Sequence, residues 1–237
     1  MTIEELSIQI DRLNGAQECR NLMGKYSYYH TAFRNKEYVQ LWANREDTYF
    51  KFPFGEYKGI EAIKECYLVG HGDITDPGMD VSLKGMLMMH QMDTEVLVVA
   101  DDAQTAKGCW ISPGHETMLR NPPGVEGPVD KSKGVKDLIP DPQWCWGKYE
   151  VEFIRENGEW KIWHMVLFPL FKTSFYKAWT ECEEIDEPQF NDGELVIKSK
   201  PDFWQWSKDA VYPADEPEPP LPYHSYEDMP HKILPKK

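Results

Sequence analysis

A histidine stands in the middle of an apolar, methionine-rich segment, where an imidazole could transfer protons. His90 belongs to "MLMMHQM" (residues 86–92), and strand alternation puts it on the same face as Met88. Imidazoles titrate near neutral pH, so modest changes in their surroundings suit them to acid or base catalysis. The competing interpretation is a core histidine bonded to a backbone carbonyl. We predict that His90 is catalytic and that Met88 contacts the substrate.

A second histidine follows a tight-turn signal. Asn157-Gly158 precedes "EWKIWHMVLFPLF" (residues 159–171), and alternation puts His164 on one face with Trp160 and Ile162. A buried histidine needs a hydrogen-bond partner. His164 is therefore either an acid–base group paired with His90 or a satisfied core histidine, and we predict the catalytic role.

Three rings with polar atoms share one face of the first predicted helix. Tyr26, Tyr29 and His30 are spaced at i, i+3 and i+4, which brings their side chains together. Phenol and imidazole groups can stabilise an oxyanion or move a proton. Core packing is the alternative for at least one tyrosine. We predict that Tyr29 is catalytic and that Tyr26 and His30 contact the substrate.

Two neighbouring predicted strands add a carboxylate and a phenol. The "SPGHETM" segment (residues 112–118) contains a Pro-Gly pair that predicts a bulge. If Trp110 faces inward, alternation turns Glu116 inward rather than His115. A solvated charge at the strand edge is the favoured alternative for Glu116. Tyr149 lies on the apolar face of the next strand, and we predict substrate contacts for Trp110, Glu116 and Tyr149.

The candidate site residues are positioned by predicted helices in the first part of the chain and by predicted strands after them. The predicted helices cover residues 1–33, with a possible interruption at Gly15, 38–42 and 60–68. The predicted strands cover residues 48–59, 86–100, 105–119, 144–156 and 157–171. Helices followed by a run of antiparallel strands indicate an α+β fold.

Composition excludes several classes of function. The 237 residues carry a net charge of −14 without a basic stripe, which argues against nucleic-acid binding. No apolar run is long enough to cross a membrane. The five cysteines stand singly, and neither metal-binding spacing nor a phosphate-binding glycine motif is present. We expect a cytoplasmic protein that uses no metal and no cofactor. The nine Trp, twelve Tyr and ten Phe exceed what a core needs and suit an aromatic ligand.

Two regions fall outside the regular pattern. Residues 120–143 are rich in proline and glycine and lack periodicity, which predicts a long loop and a candidate lid. Residues 181–237 are acidic and proline-rich, yet they contain too many aromatic residues for a free linker. We predict a domain over residues 1–180 and an extended arm over 181–237 that lies on its own domain or on a partner subunit.

Several segments together resemble the SnoaL-like branch of the nuclear-transport-factor-2-like superfamily. The resemblance spans about residues 15–172 and rests on the order of "NKEYVQLW", "YKGIEAIKECY", "VVADDAQTAKGCW" and "GKYEVEFIRENGEWKIWH". It implies a cone, in which a curved antiparallel sheet wraps around helices and leaves a pocket at its open end. His90 matches the pocket-facing histidine of the dehydratase members. A dimer or trimer is implied as well.

One position departs from that pattern. Tyr29 matches the tyrosine of the dehydratases, but Arg34 stands where their aspartate should be, so a His–Asp pair cannot be carried over. This departure favours a phenol, imidazole or guanidinium acting on a phenolic substrate, with Arg34 as a catalytic candidate. The resemblance implies a cofactor-independent lyase that removes a benzylic hydroxyl through a quinone methide, with C–C cleavage and formaldehyde release as one outcome. The alternatives are a dehydratase or isomerase of steroid- or polyketide-like substrates, and a non-catalytic binding module.

Overall fold

A long N-terminal helix with a capped start forms the inner layer of the fold. The computed structural model describes residues 1–53, 55–130, 132, 136–182, 193–198, 205–211 and 216–234, and α1 spans Ile3–Thr31. The Thr2 hydroxyl accepts a hydrogen bond from the Glu5 amide, while the Glu5 carboxylate accepts one from the Thr2 amide. This capping box satisfies two amides that a helix start otherwise leaves unpaired. It fixes the start of α1 close to the predicted position.

The predicted interruption of α1 at Gly15 is wrong. The helix continues through Gly15, which is buried, and a Cβ there would come within 2.8 Å of the Trp160 ring. Glycine is therefore needed for close packing of helix against sheet and not for a break. The buried face of α1 continues with Cys19, Leu22, Met23, Tyr26 and His30.

Short helices connect α1 to the sheet. The remaining helices are α2 (Asn35–Tyr38), α3 (Ile60–Lys64) and α4 (Met79–Ser82). A 3-10 turn (Val39–Leu41) follows α2, and a π-helical segment (Glu65–His71) continues α3. The wider π-helical turn is common at functional sites, and here it carries Cys66, Tyr67 and His71.

Nine strands of the described residues form one mixed sheet that packs around α1. They are β1 (Tyr49–Phe52), β2 (Gly55–Lys58), β3 (Leu87–His90), β4 (Asp93–Val99), β5 (Thr105–Ser112), β6 (Gly114–Arg120), β7 (Ile139–Glu156), β8 (Glu159–Ser174) and β9 (Ile197–Lys198). The order is β3-β6-β7-β8-β1-β2-β9, with β4 paired to β5 and β5 paired to β7. β1 runs parallel to β8, and the other pairs are antiparallel. The α+β prediction is confirmed.

The β7–β8 hairpin is the longest element of the sheet, and its turn is the predicted one. Asn157 and Gly158 both have positive φ, 53° and 86°, as a two-residue type I′ turn requires. Residues 139–143, predicted as loop, already belong to β7. The Pro-Gly pair breaks the strand between β5 and β6 without a bulge, because Ser112↔Gly147 and His115↔Trp144 keep one register.

Two bulges in β8 reverse which residues face α1. Glu152 pairs with His164 while Phe153 pairs with Ile162, so Trp163 is one extra residue. Further along, Trp146 pairs with Phe171 while Gly147 pairs with Pro169, so Leu170 is a second. Each bulge shifts the alternation by one residue. His164 therefore does not share the face of Trp160 and Ile162, and that prediction is wrong.

The described parts of the C-terminal arm lie on this chain's own domain. Tyr223 packs with Ala100 and Met229, and its hydroxyl donates a hydrogen bond to Thr105. The Ile233 amide donates to Glu152 and the Lys148 ammonium donates to the Glu216 carbonyl. Residues 216–234 thus contact charged side chains of β7. Of the aromatic residues that argue against a free linker, Phe203, Trp204 and Tyr212 lie outside the described residues.

None of the helices in the described part of the chain combines the length and hydrophobicity that a membrane crossing requires.

Candidate active site

A small apolar cavity lies between α1, the π-helical segment and the inner face of the sheet. Its volume is about 70 Å³. Polar atoms are few and concentrated in histidine, tyrosine, glutamate and lysine side chains. The lining residues are Tyr26, His30, Phe50, Phe52, Pro53, Cys66, Tyr67, His71, Met88, His90, Glu116, Cys145, Tyr149, Leu167, Pro169 and Lys172.

His90 and Glu116 form a buried pair in the wall of this cavity. Their strands are neighbours, and His90 Nε2 lies 3.2 Å from Glu116 Oε1. The carboxylate can only accept when ionised, so Nε2 carries the proton of this hydrogen bond. Nδ1 has no hydrogen-bond partner among the residues that the structure describes. It lies over Gly114, where a Cβ would come within 2.9 Å of it. One imidazole nitrogen is thus held and the other is left for a ligand.

The second carboxylate oxygen of Glu116 meets a lysine. Lys172 Nζ lies 2.6 Å from Glu116 Oε2, and both side chains are largely buried. Burial alone would raise the pKa of Glu116. The His90 hydrogen bond and the Lys172 charge outweigh it and hold the pKa of this carboxyl well below its usual range. Glu116 is therefore a fixed negative charge beside His90, contrary to the favoured expectation of a solvated edge position.

His30 stacks beside this pair as a neutral imidazole. Its ring centroid lies 5.4 Å from that of His90 and 6.1 Å from that of His71. Burial lowers the pKa of His30 well below its usual value, and the neighbouring His90 and His71 lower it further, while Glu116 opposes them. At neutral pH, His30 can accept or donate a hydrogen bond without carrying charge.

Acid is expected to destabilise the protein through His30. The folded chain keeps His30 neutral, whereas in the unfolded chain it binds a proton near pH 6.5. The unfolded state then binds more protons below that pH, so stability falls as the pH falls, by about 1 kcal/mol between pH 7.5 and 5.5. Urea unfolding at both pH values measures this loss. A His30→Gln variant with the same pH dependence as the wild type would contradict the assignment.

Tyrosines supply the hydroxyl groups of the cavity. The Tyr26 and Tyr149 hydroxyls lie 3.0 Å apart, joining α1 to β7. Burial raises the pKa of Tyr26 to about 12, despite its hydrogen bond to Tyr149, and it raises the pKa values of Tyr149 and Tyr67 well above the usual value. These phenols are neutral at physiological pH. They can donate hydrogen bonds to an oxyanion but cannot act as bases.

Six predicted site residues line this cavity. They are His90, Met88, Glu116, Tyr26, His30 and Tyr149. Three strand faces and one helix face therefore converge as alternation and helical spacing predicted. Catalytic roles for these residues stay predictions.

His164 lies on the opposite face of the sheet. Its Nδ1 is 2.6 Å from Glu152 Oε2 and its Nε2 is 3.1 Å from the Asp47 carbonyl oxygen. Both ring nitrogens are thus engaged, one by a carboxylate and one by a backbone carbonyl. His164 and Glu152 are fully buried, and Trp163 stacks on the His164 ring. No nitrogen is left to meet a substrate, which matches the structural alternative.

Three other predicted residues also lie away from the cavity. Arg34 is exposed, donates hydrogen bonds to Glu37 and sits over the ring of Tyr29, with 5.1 Å between the guanidinium carbon and the ring centroid. This contact holds both side chains at the surface end of α1. Trp110 is core, packed edge-on against Phe153. Helical spacing brought Tyr29 to the correct end of α1 but not into the cavity.

Sequence reasoning missed three polar residues of the cavity. Tyr67 and His71 come from the π-helical segment, where their rings stack at 5.1 Å. Their spacing of i, i+4 in "YLVGH" was a detectable signal of a shared face. Lys172 lies one residue beyond the predicted strand, and because the two bulges of β8 cancel, it faces the same side of the sheet as Trp160.

Cys145 completes a set of donor atoms that could hold a metal ion. Ligand atoms of His90, Glu116 and Cys145 lie within 4.8 Å of one another. The Lys172 ammonium already contacts the same carboxylate and would repel a cation there. The arrangement therefore fits hydrogen-bonded acid–base chemistry better than it fits metal binding.

A larger groove, of about 580 Å³, lies on the outer side of the β7–β8 hairpin. It is lined by Trp144, Trp146, Phe171, Phe175, Lys177, Ala178 and Trp179. Lys177 is the only titratable side chain among these lining residues. The groove accounts for part of the aromatic surplus, but none of these lining residues is a histidine, aspartate or glutamate.

The comparisons with known proteins agree with this architecture. The family model described as a SnoaL-like domain matches residues 11–166. The chain belongs to the SnoaL-like family. The predicted resemblance, including the nuclear-transport-factor-2-like fold, is thereby confirmed. A comparison with curated proteins found no match to the sequence.

Several solved structures are similar to this chain. A candidate scytalone dehydratase from Novosphingobium aromaticivorans is 13% identical, with a TM-score of 0.46 over 78% of this chain and 100% of that one. The hexachlorocyclohexane dehydrochlorinase LinA-type3 from Novosphingobium barchaimii is 16% identical, with a TM-score of 0.45 over 72% and 96%. At this level of similarity, neither activity carries over to this chain.

Proposed function

We propose that this SnoaL-like protein is a cofactor-independent lyase that uses His90 as its acid–base group. The observation that carries the proposal is the His90–Glu116–Lys172 array in the wall of an otherwise apolar and phenolic cavity. A carboxylate that orients an imidazole and stabilises its protonated form is the arrangement that acid–base catalysis requires. General acid–base catalysis by a histidine accelerates a reaction by about 10²–10⁴-fold.

The substrate class that we propose is an aromatic alcohol with a para-hydroxyl group. Protonated His90 gives its proton to the benzylic hydroxyl, the C–O bond breaks and water leaves. The phenol first gives its proton to water, so the substrate reacts as a phenolate and yields a neutral quinone methide. The Tyr26 hydroxyl donates to that of Tyr149, which leaves the Tyr149 proton to stabilise the phenolate oxygen.

The quinone methide has two balanced outcomes. Loss of a proton from the adjacent carbon, taken up by neutral His90, gives an alkene and a phenolate, which regains its proton from water. In a substrate with a hydroxymethyl group on that carbon, neutral His90 instead takes the hydroxyl proton, the C–C bond breaks, formaldehyde leaves and a phenolate forms in the same way. Neither outcome needs an oxidant or a reductant. Both give products with extended conjugation.

Cavity size sets a requirement on this proposal. A cavity of about 70 Å³ is smaller than the roughly 150 Å³ that holds a benzene molecule. An aromatic ring therefore enters only if lining side chains move. Phe52 and Pro53 lie beside the short connection between β1 and β2, and displacement of these two would enlarge the cavity without disturbing the His90–Glu116 pair.

A matched pair of substrates tests this proposal. We expect purified protein, in the presence of a chelator, to convert a para-hydroxyphenyl benzylic alcohol and to leave its para-methoxy ether unchanged, because the ether cannot form a neutral quinone methide. Absorbance of the conjugated product measures turnover, and a formaldehyde assay on a substrate with the adjacent hydroxymethyl group separates the two outcomes. Equal conversion of alcohol and ether, or conversion that the chelator abolishes, would contradict the proposal.

A further inference from the structure

The N-terminal half of α1 carries an apolar stripe that faces away from the core. Ile3, Leu6, Ile10 and Leu13 leave 89%, 43%, 49% and 72% of their surfaces exposed. They are separated by three, four and three residues, so they share one face of the helix. We call these four residues the N-terminal stripe.

This stripe and the buried face lie on opposite sides of α1. Leu13 of the stripe and Gly15 of the buried face are two residues apart, which is about 200° around the helix. All residues from Met1 to Asp11 are exposed. Three turns of helix with an uncovered apolar face are only marginally stable in water by themselves. Core packing therefore does not explain why these positions are apolar.

We propose that the N-terminal stripe pairs with the same stripe on a second copy of the chain, forming a homodimer through two α1 helices. Spacing of three and four residues is that of positions a and d in a coiled-coil heptad, with Ile3 and Ile10 at a and Leu6 and Leu13 at d. Isoleucine at a with leucine at d is the combination that favours two helices. The contact is separate from the cavity and does not depend on the proposed reaction.

Charge around the stripe is compatible with a second copy. The chain carries a net charge of −14, so most surfaces of two copies would repel each other. The positions that flank an a/d seam are uncharged along the stripe. These flanking residues are Thr2, Ser7, Gln9, Asn14 and Ala16. Glu4, Glu5 and Asp11 lie outside the seam and its flanks, where they would weaken binding to an acidic partner or an anionic membrane.

The exposed area is sufficient for a specific contact. A biological interface buries at least about 1,000 Å² in total. The four stripe residues of two copies, each of which exposes between 43% and 89% of its surface, supply an area of that order. A dimer of modest affinity is therefore expected.

The test is a matched pair of variants on one helix. Ile8 and Ile10 expose 45% and 49% of their surfaces, but Ile8 lies outside the stripe. We expect sedimentation of the full chain to show a concentration-dependent dimer. Ile10→Glu is expected to raise the dimer's Kd at least about tenfold, because it buries a charge at the seam. Ile8→Glu should leave the Kd unchanged.

Three results would overturn the proposal. The wild-type chain could be monomeric at every concentration tested. Ile8→Glu and Ile10→Glu could shift the Kd equally, which would indicate a general charge effect or an interface elsewhere. Finally, a monomer that co-sediments with phosphatidylcholine vesicles, and loses this binding in Ile10→Glu, would make the stripe a membrane contact instead. Because both variants lie far from the cavity, their turnover separates this proposal from the proposed lyase activity.

Discussion

A His90→Ala variant is expected to lose at least about 100-fold in kcat/KM on the para-hydroxyphenyl alcohol, the lower limit for removal of a general acid–base group. His90 is the one cavity imidazole that is oriented by a carboxylate and has its second nitrogen without a partner among the described residues. His30 is neutral at working pH because burial lowers its pKa, so it cannot replace the proton that protonated His90 supplies.

His115→Ala is the matched control for this substitution. His115 is the residue before Glu116 in β6, but its ring packs against Trp144 at 4.9 Å, on the other side of the sheet. We expect its kcat/KM to stay within about threefold of the wild-type value, since it contacts no group of the cavity. A fall in activity of similar size in both variants would mean that disturbance of β3 and β6, rather than proton transfer, causes the loss.

Glu116→Gln tests whether Glu116 acts through its negative charge or only by orienting the His90 ring. Glutamine can still accept the hydrogen bond from His90 Nε2, but it no longer stabilises the protonated imidazole and it removes the ion pair between residue 116 and Lys172. We expect the pH at which kcat/KM falls to move downward, because protonation of His90 becomes harder. An unchanged pH profile would indicate that Glu116 only supports the structure.

A Glu152→Ala variant is expected to lower the free energy of unfolding by about 3–5 kcal/mol, the usual cost of removing one partner of a buried ion pair. Glu152 is fully buried and accepts hydrogen bonds from His164 and from the Ile233 amide. Lys107, which is also buried, lies 3.9 Å from the same carboxylate. Without Glu152, the His164 ring and the Ile233 amide lose a partner beneath the C-terminal arm, while Lys107 keeps Glu150 at 2.6 Å.

Urea unfolding followed by tryptophan fluorescence measures this loss. Glu159→Ala is the matched control, because Glu159 lies in the same hairpin and pairs with Lys161 at 3.0 Å but is largely exposed. Substitution of Glu159 should lower the free energy of unfolding by less than about 1 kcal/mol. Equal effects of the two substitutions would show that the buried network does not contribute to stability.

His164→Ala distinguishes the two interpretations of this residue. Because His164 is the partner of Glu152, His164→Ala should lower the free energy of unfolding by an amount similar to that of Glu152→Ala. The fraction of His164→Ala that remains folded should turn over substrate at nearly the wild-type rate. A loss of turnover comparable to that of His90→Ala, at unchanged stability, would restore the catalytic interpretation that the sequence pattern favoured.

Local patterns predicted a large part of this molecule correctly. Helical spacing located α1 and brought Tyr26 and His30 to one face, and the Asn157-Gly158 turn defined the β7–β8 hairpin. Alternation along unbroken strands turned His90, Glu116 and Tyr149 toward the cavity. Each of these predictions depends on residues close together in the chain, where the backbone repeat determines the direction of the side chain.

The error at His164 has a local physical cause. A strand bulge inserts a single residue and reverses every later side chain, and neither Trp163 nor Leu170 bears a sequence signature of a bulge. The first bulge moved His164 out of the predicted site, and the second restored the original alternation, so that Lys172, one residue beyond the predicted strand, faces the cavity. Likewise, Arg34 was placed by counting from a family motif, but its side chain is exposed and pairs with Glu37.

A structure of the His90→Gln variant with a para-hydroxyphenyl benzylic alcohol bound tests the central claim most directly. The proposed function predicts that the ring lies in the enlarged cavity, with Phe52 or Pro53 displaced. The benzylic oxygen should be within about 3.2 Å of the residue 90 side chain. The phenolic oxygen should lie near the Tyr26 and Tyr149 hydroxyls. A ligand bound instead in the outer groove of Trp144 and Trp179, with the cavity unchanged, would contradict it.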